Sequence, residues 1–148
     1  MKITKASNND SLDIFQWRND PLTRQNSVNT STVSLKDHNQ WFNEVLNSRN
    51  TELLIGIENS IKVGVCRFCL NNLSNSVEVS INLNPLMRGK RISKKLLEES
   101  INYYLKTNKV MLTATIRIDN IPSIKIFEEL NFIKTKSTDS FNYYERNF

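Results

Sequence analysis

The stretch Leu83-Asn84-Pro85-Leu86-Met87-Arg88-Gly89-Lys90-Arg91-Ile92-Ser93-Lys94-Lys95-Leu96-Leu97 restricts this chain more than any other. An alternating segment, Val77 to Leu83, runs into a basic, glycine-bearing turn. The turn opens an amphipathic stretch with Ile92, Leu96, Leu97, Ile101, Tyr104 and Leu105 at helical spacing. A strand–turn–helix junction of this kind leaves the first backbone N–H groups of the helix unpaired, with the positive end of the helix dipole behind them. Such groups suit a phosphate or pyrophosphate.

The rest of the chain narrows the class. With 148 residues, 39% hydrophobic and 24% charged, it is expected to form a single domain over residues 1–148 with a real core. No apolar run approaches membrane-spanning length, and the polar start argues against a signal peptide, so cytoplasmic residence is the expectation. The net charge of +5 points to an anionic partner. There is no long basic run, and the densest basic cluster lies on the turn and the helix after it. A phosphorylated small molecule fits that placement, and a nucleic acid is not favoured. Cys66 and Cys69 spell C-x-x-C, but three positions apart on a strand they face opposite sides of a sheet. Two buried thiols are expected there, not a redox pair or zinc site. His38 is the only histidine, so a catalytic metal cluster is not expected.

The periodicities predict strands at Lys2 to Ala6, Glu52 to Glu58, Ile61 to Leu70, Val77 to Leu83, Val110 to Ile118, Phe132 to Lys136 and Phe141 to Phe148. Helices are predicted at Asp10 to Asn19, Ser34 to Ser48, Ile92 to Lys106 and Ile121 to Leu130, with Thr23 to Val33 a loop. Asp20-Pro21 stops the first helix, Ser34 caps the second and Asn131 terminates the last. The order β-α-α-β-β-β-α-β-α-β-β belongs to an α/β (α+β) domain. Its central sheet is mixed but mostly antiparallel, with helices on both faces. Glu78, Ser80 and Asn82 form a polar row on a strand that such a sheet should bury on both sides, and a substrate cleft explains them.

Element order and turn together resemble the Gcn5-related N-acetyltransferases, whose R/Q-x-x-G-x-G/A signature cradles the pyrophosphate of acetyl-CoA. Arg88, Gly89 and Lys90 match, while Arg91 and Ser93 stand where small residues are usual. Residues 120–132 resemble the second family signature, N-x-x-A/S-x-x-x-Y-x-x-x-G-F, through Asn120, Ser123 and Phe132. The resemblance implies acetyl-CoA as co-substrate and no metal. It assigns the cofactor to the strand backbone around Ile81 and Leu83, to Arg88, Gly89, Lys90, Arg91, Ile92 and Ser93, and to Asn120, Ser123 and Phe127. A backbone N–H near Ile81 to Leu83 would polarise the thioester carbonyl. Glu78 is the implied general base, with a substrate-orienting or salt-bridged role as its alternative. Phe127 occupies the place of the usual tyrosine acid and has no proton to give, so a water, another hydroxyl, Tyr143 or Tyr144 must serve.

The N-terminal pattern Trp17-Arg18-Asn19-Asp20-Pro21, then Ser34-Leu35, His38 and Trp41-Phe42, resembles the bacterial branch that acetylates nucleotide-linked amino sugars, as in pseudaminic acid biosynthesis. It is similar, less closely, to ribosomal-protein N-terminal acetyltransferases. The resemblance implies a small amine acceptor, nucleotide-linked, held by Arg18, Asn19, Arg24, His38, Trp41 and Ser80. Arg18 and Arg24 would meet a diphosphate, and His38 or Trp41 would flank a base. Arg18 reads equally as a bridge to Asp20 or Glu44. The alternatives are a protein N-terminus as acceptor, or a non-catalytic acyl-CoA-binding regulatory module. Association with further copies stays open.

Overall fold

A seven-stranded sheet in the order β1-β2-β3-β4-β5-β7-β6 runs through the computed structural model, which describes residues 1–148. The strands are β1 (Lys2–Lys5), β2 (Thr51–Glu58), β3 (Ile61–Asn71), β4 (Ser76–Leu83), β5 (Met111–Arg117), β6 (Ile133–Ser137) and β7 (Phe141–Arg146). All neighbours are antiparallel except β4 and β5. Asn59 and Ser60, both at positive φ, make the two-residue hairpin between β2 and β3.

Five helices cover the two faces: α1 (Ser11–Asn19), α2 (Pro21–Gln25), α3 (Leu35–Leu46), α4 (Ser93–Leu105) and α5 (Ile121–Glu129). Alternation along the strands divides the core in two. Leu53, Ile55 and Val65 pack on Ile14, Trp17, Phe42 and Val45 from α1 and α3. Leu54, Cys66, Phe68, Val77 and Val79 pack on Leu96, Leu97 and Ile101 from α4, together with Phe127 and Tyr144. Gly56 and Gly64, register partners on β2 and β3, leave the hollow in which Leu96 sits. A Cβ on Gly64 would lie 2.7 Å from Leu96 and 2.6 Å from the Asn82 carbonyl oxygen.

The structure departs from expectation in three local ways. The expected loop from Thr23 begins inside α2. Asp20 does not only end α1: its carboxylate accepts from the Thr23 N–H, and Pro21 supplies a preset φ at the first helical position. The penultimate strand starts one residue late because Phe132 turns into the core against Phe127. Of the two cysteines only Cys66 is buried, its thiol pushed up to about 12 by burial, and Cys69 is half-exposed.

Candidate active site

Strand β4 follows β3 along its whole length but pairs with β5 only over Ser76–Glu78. Each strand is held by its other neighbour. Asn84 ties the end of β4 to β3, its backbone N–H to Val63 and its side chain to Lys62, both at 2.9 Å. β5 continues into pairing with β7 through Arg117. The strands therefore part beyond Glu78, and a cleft of about 280 Å³ opens between them. Val79, Ile81 and Phe127 line it from one side, and Glu78, Ser80 and Asn82 line it from the other.

Glu78 sits where the strands separate. One carboxylate oxygen is 3.4 Å from Arg67 on β3, a diagonal cross-strand neighbour, and the other accepts from the Thr115 hydroxyl at 3.3 Å. Arg18 enters the same cleft from α1, its guanidinium 5.1 Å above the Trp41 ring. Burial, then the nearby Arg67 charge, depresses its pKa. Arg18 bridges neither Asp20 nor Glu44; Asp20 holds Arg88 and Glu44 accepts from Gln40. Above the cleft runs a polar segment, Asn26 to Ser31, most of whose residues line it.

The turn before α4 has the open backbone that a pyrophosphate needs. Gly89 has φ +75° and nothing within 4 Å of where a Cβ would be, so its backbone faces open space. Arg91 also has a positive φ, 55°. Asp20, Ser34 and Asn120 cap α2, α3 and α5 with side-chain oxygens, but Ile92 at the start of α4 has no such bond. The N–H groups of that helix end therefore have no side-chain partner, and with the open Gly89 backbone the turn has the form that can hold a pyrophosphate. Lys90 and Arg91 are exposed, and Ile92 and Ser93 are half-buried. Ile81, Asn120, Ser123 and Phe127 line the cleft, while Leu83 lies half-buried against the core. Asn120 caps α5 through its oxygen, at 3.3 Å from the Ser123 N–H, leaving its NH₂ for the cleft.

Four expected ligand side chains are otherwise engaged. His38 is fully buried, stacked on Phe42 and bonded through Nε2 to the Ser11 carbonyl at 3.0 Å, so it cannot flank a base. Asn19 bonds both the N–H and the carbonyl of Val33 at 2.8 Å. Arg24 donates to the carbonyls of Asn19 and Thr30, so both residues brace the loop over the cleft instead of meeting a diphosphate. The Arg88 guanidinium turns back to Asp20 and Thr23, away from any pyrophosphate role. Of the proposed acids, Tyr144 is buried in the core and donates to Glu128, and Tyr143 does not line the cleft. Trp41 and Ser80 do line it. The sequence reading missed Arg67 and Thr115. Arg67 had left a signal, a charge in the middle of an apolar strand.

Comparison with known proteins agrees with this geometry. The Acetyltransferase (GNAT) domain family matches residues 1–133. The L-amino acid N-acyltransferase MnaT of Escherichia coli (strain K12) is 26% identical over 111 residues, which are 72% of this chain and 64% of that protein. The chain thus spans about 64% of the length of this curated relative. Campylobacter jejuni N-acetyltransferase PseH in complex with acetyl coenzyme A is 19% identical, with TM-score 0.76 over 99% of this chain and 97% of its own. Spermidine N-acetyltransferase from Vibrio cholerae, in complex with CoA and spermine, is 12% identical, with TM-score 0.88 over 99% of this chain and 94% of its own. These structural likenesses establish the fold, and the family match over nine-tenths of the sequence makes the chain a member of the GNAT acetyltransferase family.

Proposed function

We propose that this chain transfers the acetyl group of acetyl-CoA to the primary amine of a small acceptor, directly within a ternary complex. The observation that carries the reading is the parting of β4 from β5 at Glu78, with the uncapped end of α4 beyond it. Acetyl-CoA, when bound, supplies the thioester. An acceptor ammonium gives a proton to the Glu78 carboxylate, directly or through a water. The freed nitrogen forms its bond to the thioester carbon, whose oxygen is steadied by a β4 backbone N–H. The C–S bond then breaks, and its electron pair leaves on sulfur. The nitrogen sheds its second excess proton as the amide forms, and that proton reaches the thiolate through a water or a cleft hydroxyl such as Ser123, since Phe127 has none to give.

The cleft of about 280 Å³ lies at the small end of ligand-site volumes. A nucleotide-linked amino sugar is the first acceptor to test, supported by the N-terminal sequence pattern and the likeness to PseH. An amino acid is the second, supported by the Escherichia coli relative. The test begins with acetyl-CoA titration calorimetry, followed by thiol release with each acceptor. Glu78→Gln should lower kcat about a hundred-fold and leave acetyl-CoA affinity unchanged. A folded protein that binds no acetyl-CoA would refute the reading, and full activity in Glu78→Gln would remove Glu78 as the base.

A further inference from the structure

Resting on that reading, we infer that Arg18 and Arg67 form an oxyanion-binding subsite beside Glu78, so that the acceptor carries a carboxylate or phosphate within a few bonds of its amine.

Two positive charges and one negative, Arg18, Arg67 and Glu78, are the only charged residues lining the cleft. Arg67 directs one nitrogen to Glu78 at 3.4 Å, a long contact, and its Nε is buried with no partner at all. Arg18 has the face of Trp41 but no carboxylate. Partly desolvated guanidinium groups brought together without enough anions are electrostatically incomplete. The lowering of the Arg18 pKa, by burial first and then by the Arg67 charge, agrees with that.

An oxyanion completes the arrangement, because a guanidinium offers planar pairs of donors that match a carboxylate or phosphate. The site is also prepared in advance. Trp41 fixes the plane of Arg18 from behind, and Asn19 and Arg24 hold the overlying loop in place. Preset donors lose little freedom on binding. Glu78, on the same wall, is left to receive the ammonium. The subsite therefore selects an acceptor with opposite charges close together, and it opposes a polyamine, whose extra ammonium groups would meet the arginines.

The test uses two matched acceptor pairs: an L-amino acid against its carboxamide, and a UDP-linked amino sugar against the free amino sugar. Wild type should prefer the anionic member of one pair by ten-fold or more in kcat/KM. The pair that responds identifies carboxylate or phosphate. Arg18→Gln should abolish the preference by raising KM for the anionic member. It should leave acetyl-CoA affinity within about two-fold, and Arg18→Lys should recover only part of the preference. Equal use of neutral acceptors, or a preference that survives Arg18→Gln, overturns the subsite. A second readout needs no turnover: an N-acetyl-L-amino acid or UDP should change tryptophan fluorescence saturably through Trp41, and the N-acetyl amino acid amide should not. No saturable change with either anion overturns the subsite even where thiol is released. Failure to bind acetyl-CoA instead refutes the acetyltransferase reading.

Discussion

Arg88, in the turn that precedes α4, is ion-paired with Asp20, the cap of α2, across 68 positions of sequence. The same guanidinium reaches the Thr23 hydroxyl at 2.8 Å. One carboxylate thus starts α2 and anchors the turn before α4. The Arg88 hydrogen bond, opposed in part by burial, holds the Asp20 carboxyl below the usual carboxylate range.

The two residues should behave as one unit. Arg88→Ala and Asp20→Ala should each weaken acetyl-CoA binding several-fold and raise the acceptor KM. The double variant should be little worse than either single, with a coupling of about 1–2 kcal/mol in calorimetry. Additive losses would mean that Arg88 acts on the pyrophosphate directly. Because the folded pKa of Asp20 is lowered, its contribution to stability is complete above its unfolded value, about 4. It disappears as pH falls through the lower folded value.

A side chain at φ 55° is uncomfortable for any residue but glycine, and Arg91 is held there. Arg91→Gly should relieve that strain against some added freedom of the unfolded chain, a net gain of about 0.5–1 kcal/mol. Thermal melts should rise by roughly 2 °C. Backbone N–H groups remain in place, so acetyl-CoA affinity should change less than three-fold. A lower melting point would contradict the assignment of strain.

Burial is the main cause that depresses the His38 pKa, with the Arg18 charge adding to it and the Ser11 carbonyl opposing. The unfolded chain therefore takes up a proton at this site at higher pH than the folded one. Stability should fall as pH drops below about 6.5 and level off beneath the folded value. Urea melts of wild type and His38→Gln between pH 7.5 and 5 would check this. A variant that keeps the same slope would clear His38 of responsibility.

Gly64→Ala should be costly. Its methyl group meets a backbone carbonyl, that of Asn82, as well as Leu96, so no side-chain rotation can relieve it. A loss of about 2–3 kcal/mol is expected in denaturant melts, with weaker acetyl-CoA binding because β4 shifts. Gly89→Ala meets no atom and should cost about 1 kcal/mol for its φ alone.

The sheet was legible in the sequence because its signals are local. The alternation of residues 77–83, the cap at Ser34 and the helix terminator at Asn131 each act within a few positions. The cleft was legible for the same reason, since a polar row on a central strand violates the pattern around it. His38 was misjudged although its spacing told the answer: with Trp41, Phe42 and Val45 it occupies one helical face, and that face is the core. Asn19, Arg24 and Arg88 carry ligand-like chemistry, and only three-dimensional contacts decide whether it serves the protein or a substrate. No spacing rule joins residues 20 and 88.

Helix α4 begins with no side chain of its own to close it. A pyrophosphate seated there would do for α4 what Asp20 does for α2, so the donor substrate would double as a structural part. At a hundred-fold excess over Kd such a ligand raises stability by about 2.7 kcal/mol. The acetyl group departs with the acceptor, but the pyrophosphate stays with CoA. With a pyrophosphate so seated, the chemical step would leave the helix end closed, and the protein would loosen only when the spent carrier drifts away.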